Sequence, residues 1–399
     1  MSEGARRTRP ATAHTVAVLG AGVGGLCAAS RLRSLLPGTD RVVLIDRSFD
    51  GVLGLSLPWV LRGWRRPDQV RVSPAPTALP GVDLVTAEAK AVEPEHHTVV
   101  TDAGEIRYDA LILAPGAALR PTAVPGLPEA LDTGAAGEFY TLQGALLLHE
   151  RLSAFGSGRI MVVIASIPFR CPAAPYEGAL LAADLLRQTG AGDRTRIDIY
   201  TPEAMPMAVA GPAVGESLVG MLSQHGIGFH PNTAVESIDP VRRQVSWAGG
   251  SRGHFDLLIA IPPHRPPDVA GNLELSPAGW LPVNARTLAT GIDGVWAIGD
   301  ATQLMLPSGK PLPKAAVFAE AEADVAAAGV ARHLGYDGPD PWFSGDGSCF
   351  IELGGGLAAK GAGNFLAEPA PDVSLYEPSE AFHQQKADQE SAWLSRWNA

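Results

Sequence analysis

Two apolar rhythms alternate along the chain. Residues 15–19 (TVAVL) form a short β-branched run, and GAGVGG follows at once, leading into LCAASRLRSLL with apolar residues at helical spacing. A second run, RVVLID at 41–46, ends on an acid. The pattern predicts strand, tight turn, helix and strand. Further buried strands are expected in YDALILAPGA (108–117), RIMVVIAS (159–166) and GIDGVWAIGDAT (291–302), and a long helix in KAAVFAEAEADVAA (314–327).

The first unit carries chemistry. Gly20, Gly22 and Gly25 stand in G-x-G-x-x-G register, and Asp46 falls where a dinucleotide fold presents its ribose-binding carboxylate. Gly20 permits the turn, Gly22 lets backbone approach a pyrophosphate, and Gly25 lets helix and strand pack closely. Amides at the helix start would receive the phosphate charge.

With YDALILAPGA and GIDGVWAIGDAT, this unit resembles the FAD-binding domain of the two-dinucleotide-binding-domain flavoproteins. The resemblance implies an α/β fold with two Rossmann-like domains. The FAD domain would be split in sequence (14–120 and 280–338), a second α/β domain would be inserted (121–279), and a small C-terminal domain would follow (339–399, beyond Pro341). It also implies FAD contacts from Gly20, Gly22, Gly25, Asp46, Arg47, Ala114, Gly116, Gly299, Asp300 and Lys314. Asp300 would bind the ribityl chain, or as an ordinary strand-end carboxylate cap the next turn. Lys314 would sit at a helix start facing the flavin, or would be a surface lysine.

The inserted unit departs from that scheme. Its strand RIMVVIAS runs into Ile167, Pro168, Phe169, Arg170, Cys171 and Pro172, with no glycine until Gly178. Backbone without glycine cannot approach a pyrophosphate closely, which disfavours NAD(P)H there and with it the glutathione-reductase and type II NADH dehydrogenase readings. CPAAPYEGALLAADLLRQ reads as a cysteine ahead of a helix, with Pro175 in the opening turn and Glu177 near the start. Next to Arg170 and the positive helix end, the Cys171 thiolate is expected to be favoured.

Composition narrows the class. The 399 residues are 46% hydrophobic and 18% charged, enough for a large core divided into domains. A net charge of −11 argues against nucleic acid. No apolar run approaches the roughly 20 residues of a membrane span, and MSEGARRTRPATAH has no signal-peptide character, so a cytoplasmic protein is expected. Three cysteines, Cys27, Cys171 and Cys349, exclude a disulfide-stapled scaffold. Cys27, among small residues in GLCAASRL, reads as a packed thiol. No HExxH, CxxC, Walker or G-x-S-x-G motif occurs. The histidines are scattered, His96 and His97 read as a surface turn, and no metal site is expected.

CPAAPYE, LPKAAVFAEAEADVAA (312–327) and the Gly-flanked SCFIEL together resemble the sulfide:quinone oxidoreductases and the flavoprotein subunit of flavocytochrome c sulfide dehydrogenase, over nearly the whole chain. The resemblance implies that Cys171 and Cys349 form a redox-active pair beside the flavin; two unrelated buried thiols are the alternative. Hydrosulfide or a small thiol would attack the disulfide, leaving a persulfide and a thiolate that passes two electrons to the flavin. Glu177 would transfer protons or simply serve the helix start. A quinone, or a soluble carrier such as a heme protein, would accept the electrons.

The chain also departs from these families. Residues 48–70 lack a tethering cysteine, so FAD should be noncovalent. Residues 117–170 lack the third cysteine many relatives carry, and AVAGPAVGE (208–216) lacks a histidine several place there. The tail AFHQQKADQESAWLSRWNA puts Trp393 and Trp397 on one helical face but has few basic residues, which favours a packed terminal helix over a membrane anchor, with peripheral contact at the inner membrane face left open. The same scaffold could instead dehydrogenate an organic substrate, or hold flavin as an electron-transfer or interaction protein. Oligomeric state is not legible.

Overall fold

A computed structural model describes residues 13–337, 340 and 342–398. The expected boundary at 338/339, Pro341 and most of the opening stretch lie outside them.

The fold is α/β and contains two five-stranded sheets, each wholly parallel. In the first, Thr15–Leu19 lies at the centre. Arg41–Asp46 and Val82–Thr86 lie on one side, and Ala110–Leu113 and Val295–Ala297 on the other. The second repeats this order for four strands, with Thr195–Tyr200 and Ile227–His230 on one side of Gly158–Ile164 and Leu257–Ile261 on the other, but its edge strand, Ala136–Gly137, comes before the central strand in the chain. Central strands buried on both faces must be apolar almost throughout. Val16, Ala17 and Val18 are fully buried, as are Ile160, Met161, Val162 and Ile164.

Each sheet also carries a three-stranded antiparallel meander, within residues 89–107 and 235–254 respectively. The first sheet is completed by Val295–Ala297, a strand that returns after the second unit, so the first unit is split in sequence.

The central strand of each sheet leads to a helix. Val23–Leu35 follows the glycine turn and packs on the long helix Ala316–His333, which starts two residues after Lys314 rather than at it. Ala174–Gln188 follows the Cys171 loop, with Pro175 and Glu177 in its first turns. A third unit is antiparallel: Asp346–Gly354, Leu357–Asn364 and Asp372–Ser379, followed by the terminal helix Glu380–Asn398. Its first strand packs against Ala174–Gln188, which carries Cys349 to the cysteine loop.

The terminal helix is a strap. Trp393 and Trp397 are buried with ring centroids 5.8 Å apart. Glu390 accepts from Arg65 at 2.8 Å and from Ser56 at 2.5 Å, and Asn398 bonds the backbone of Arg71 and Ser73. Among the described residues no helix is long and apolar enough to cross a membrane.

Candidate flavin and cysteine site

The glycine turn is built as the spacing requires. Gly20 has φ 100°, and a Cβ there would lie 2.4 Å from the Ala114 carbonyl oxygen. A Cβ on Gly25 would lie 1.7 Å from the Gly20 oxygen, so these two positions are closed by packing. Nothing lies within 4 Å of a Cβ added to Gly22. That open face at a helix start fits a pyrophosphate. Asp46 braces the turn: one carboxylate oxygen accepts from Ala21 N–H at 2.9 Å, the other from Ser48 and Phe49 N–H at 3.0 and 3.1 Å. Arg47 is exposed beside it, Ala114 is buried against Gly20, and Gly116 turns at φ 70°.

After the strand Val295–Ala297, Gly299 also has a positive φ, 72°, and its N–H donates to the buried Glu322 at 2.5 Å. Burial raises the Asp300 carboxyl, opposed by Arg170 and Lys314, and raises Glu322 to about 7. Lys314 is not a surface lysine. It is buried, donates to the carbonyls of Asp300 and Thr302 at 2.8 and 2.9 Å, and lies 3.4 Å from the Trp280 ring centroid. Burial pushes its pKa down to about 8. Gly299, Thr302, Lys314, Phe318 and Glu322 line a niche beneath the helix Ala316–His333.

The cysteine loop is held in place by this same region. Cys171 sits at φ 55°, a left-handed conformation unfavourable for a side chain with a Cβ. Its N–H donates to the Lys314 carbonyl at 2.7 Å, and Arg170 bridges Lys314 as a parallel neighbour, so the strain is fixed by backbone pairing. Arg170 donates to the Tyr140 carbonyl at 2.7 Å and lies over that ring.

The fold brings Cys171 and Cys349 together as free thiols that hydrogen-bond to one another. The bond and burial push the Cys171 thiol well above its ordinary value. The same bond holds the Cys349 thiol below its ordinary value, against the effect of burial. Expectation favoured the thiolate on Cys171; of the two coupled thiols, the contacts in the structure raise Cys171 and lower Cys349. Arg170 is engaged with Tyr140, and at Cys171 the second thiol, burial and Glu177 outweigh the opposing charge of Lys386.

Glu177 is 2% exposed and bonded to Lys386, itself 1% exposed, which reaches in from the terminal helix and also lies over Trp59. Burial raises Glu177 to about 7 despite Lys386, with Glu352 adding to the rise. Burial works against the Lys386 ammonium, but Glu177 and Glu352 outweigh it and push its pKa up. The fully buried Glu352 bonds His383 Nδ1 at 2.9 Å. One ammonium thus serves two buried carboxylates beside two thiols.

Lys386, Glu352 and His383 were missed in sequence. A lone lysine among AFHQQKADQES looks like helix-surface polarity, and only the docking of that helix shows otherwise. Cys27 is buried, and burial with the Glu320 charge pushes its thiol up to about 12, in keeping with a packed thiol. His96 and His97 lie on an exposed turn.

A family model described as pyridine nucleotide-disulphide oxidoreductase matches residues 14–323. The sulfide-quinone reductase of Aquifex aeolicus is 26% identical over 90% of this chain and 84% of its own length. The mitochondrial sulfide:quinone oxidoreductase of Dictyostelium discoideum is 25% identical over 80% and 70%. The solved Aquifex aeolicus sulfide:quinone oxidoreductase superposes with TM-score 0.83 at 23% identity, over 96% of this chain and 91% of that one.

Proposed function

Because this chain belongs to the pyridine nucleotide-disulphide oxidoreductase family, we propose that it is an FAD-dependent oxidoreductase of the sulfide:quinone type, oxidising sulfide or a small thiol through Cys171 and Cys349. The observation that carries this reading is the meeting of these two thiols, from distant segments, on the loop that pairs with Lys314. Several flavoproteins share the scaffold. Here the loop where a nicotinamide nucleotide would need glycine carries cysteine instead.

Noncovalent FAD would be held by the open backbone at Gly22, by Asp46, and by Asp300 with the Lys314 segment. When bound, it supplies a two-electron acceptor. The residues of the chain account for the sulfur chemistry. From the oxidised pair, the sulfur of hydrosulfide bonds to the Cys171 sulfur while the bond between the cysteines breaks. Cys171 then carries a persulfide and Cys349 leaves as the thiolate, holding the electron pair from the broken bond. A sulfur whose thiolate is stabilised is the better leaving group, and the Lys386 charge favours the thiolate at Cys349. Glu177, raised to about 7, holds or releases a proton at neutral pH beside the pair, and Lys386 keeps a positive charge against the thiolate.

The quinone named for both curated relatives is the acceptor we favour, with the protein working from the cytoplasm at the inner membrane face as part of the same proposal. The reading is tested by mixing the oxidised holoenzyme anaerobically with sulfide and then with a short-chain quinone. Sulfide should bleach the visible flavin band and quinone restore it. A flavin that sulfide leaves oxidised, yet an organic donor reduces, would overturn the assignment.

A further inference from the structure

Glu322 has no part in the sulfur chemistry, and its helix gives no reason for it. Its buried neighbours along Ala316–His333 include Ala319, Ala323, Val325 and Ala326, yet Glu322 is itself 2% exposed. A carboxyl group taken out of water is costly unless hydrogen bonds replace the lost solvent. Its partner is the backbone of the short turn Gly299–Ala301, where the Gly299 N–H donates to it at 2.5 Å.

That turn is clamped from both ends. The first N–H of a helical turn has no partner within the turn itself, and Glu322 supplies one. The Gly299 carbonyl accepts from the Thr302 hydroxyl at 2.9 Å, and Lys314 Nζ holds the carbonyls of Asp300 and Thr302 at 2.8 and 2.9 Å. Asp300 is the residue between the two clamps. Gly299 also packs on the helix, since a Cβ added there would lie 3.4 Å from the Ala319 Cβ.

The turn lies just past the carboxyl end of Val295–Ala297, as the glycine turn lies past that of Thr15–Leu19. Open parallel sheets bind nucleotides outside those strand ends. Ala110–Leu113 separates the two strands, so the turns stand two strand spacings apart, about 10 Å. The elements that carry them touch: a Cβ on Gly24 would lie 3.1 Å from Ile298 Cδ1 and 3.4 Å from the Ala319 carbonyl oxygen. One extended ligand laid across the strand ends spans from the open backbone at Gly22 to Asp300.

Resting on the reading of these strand ends as the FAD site, we infer that Glu322 is a positioning residue for FAD: by holding the Gly299 N–H it fixes the turn from which Asp300 meets the cofactor. It acts as a hydrogen-bond acceptor rather than as a charge. Burial raises its carboxyl to about 7, with Asp300 adding to the rise and the Gly299 bond and Lys314 opposing it, and a protonated carboxyl still accepts through its carbonyl oxygen. Glutamine should therefore serve in its place, and leucine should not.

The test compares Glu322→Gln and Glu322→Leu holoenzymes with the wild type. FAD affinity is read from the fluorescence of flavin released on dilution, and the setting of the bound flavin from its visible circular dichroism. Glu322→Leu should weaken FAD binding about tenfold and alter the dichroism, while Glu322→Gln should stay within about threefold of wild type and keep the dichroism. A residue that served the fold alone would lower the melting temperature and leave affinity and dichroism unmoved. Should Glu322→Leu yield no folded protein, Glu322→Asp, which keeps the charge but withdraws the acceptor by one methylene, should weaken binding in its place. A folded Glu322→Leu or Glu322→Asp variant that holds FAD as tightly as wild type overturns the inference, as does Glu322→Gln binding as weakly as either of them. Wild-type protein that binds no FAD overturns the cofactor reading, and this inference with it.

Discussion

The two parallel sheets of this protein share the order of four of their five strands and one ornament, a three-stranded meander, yet the turn leaving the central strand differs in each. After Thr15–Leu19 the chain passes through residues 20–22 and is already helical at Val23. After Gly158–Ile164 it spends residues 165–173 on a loop before Ala174. The short turn needs glycine because backbone fills the space, with the Gly20 and Gly25 positions closed by the Ala114 and Gly20 carbonyls. The long loop needs none, and uses its length to place Cys171 against Lys314 of the first unit.

The acids differ in the same way. Asp46 braces the glycine turn through backbone N–H groups. Beyond the matching strand of the second unit, Glu203 accepts from Tyr176 at 2.6 Å and locks the cysteine helix instead. One architecture thus offers two uses of the strand end, a cradle for a nucleotide and a mount for a thiol.

The largest effect should come from the mount. Cys171→Ser and Cys349→Ser should each slow flavin reduction by sulfide about 10³-fold or more, since neither half of a disulfide works alone. Stopped-flow reduction checks this, and wild-type rates in both would dissolve the contrast between the sheets. Lys386→Met comes next. It leaves Glu177 buried without its cation and takes a positive charge from the neighbourhood of Glu352, and breaking such a pair costs about 3–5 kcal/mol. Urea unfolding at neutral pH should show a loss of that order, while a shift below about 1 kcal/mol would mean that the terminal helix does not hold the thiol site.

The cradle gives a smaller effect that separates binding from folding. Gly22→Ala places its methyl in open space, so apoprotein stability should hold while FAD affinity falls about tenfold, as an intruding group loses a hydrogen bond's worth of binding. Flavin titration and thermal melts read the two independently. Smallest is the pH response of Glu177. Its folded pKa, about 7, lies above the ordinary value of 4.5. The stability it contributes is therefore full below about 4.5 and lost as pH rises through about 7. Glu177→Gln should flatten the fall in unfolding free energy across that window, by roughly 1–3 kcal/mol. An unchanged slope would mean that Glu177 is already ionised there.

Much of this was legible in the sequence because local rules carry it. The glycine register, the strand ending on Asp46 and the helix opening with Pro175 and Glu177 are short-range patterns, and the structure builds each in place. The end of the chain was legible only in part. Trp393 and Trp397 gave the packed face of the terminal helix, but Lys386 on the same helix carried no sign of burial.

What the sequence determined by itself was therefore the cradle and the reactive candidates: residues close in the chain, whose spacing and backbone preferences fix their geometry. Tertiary structure alone decided which of the two thiols is raised and which is lowered. That depended on Cys349 arriving on a strand of the third unit and on a lysine from the last helix reaching the buried Glu177 carboxylate. Charges in a water-poor interior act through distance and desolvation, and neither is written in the order of residues.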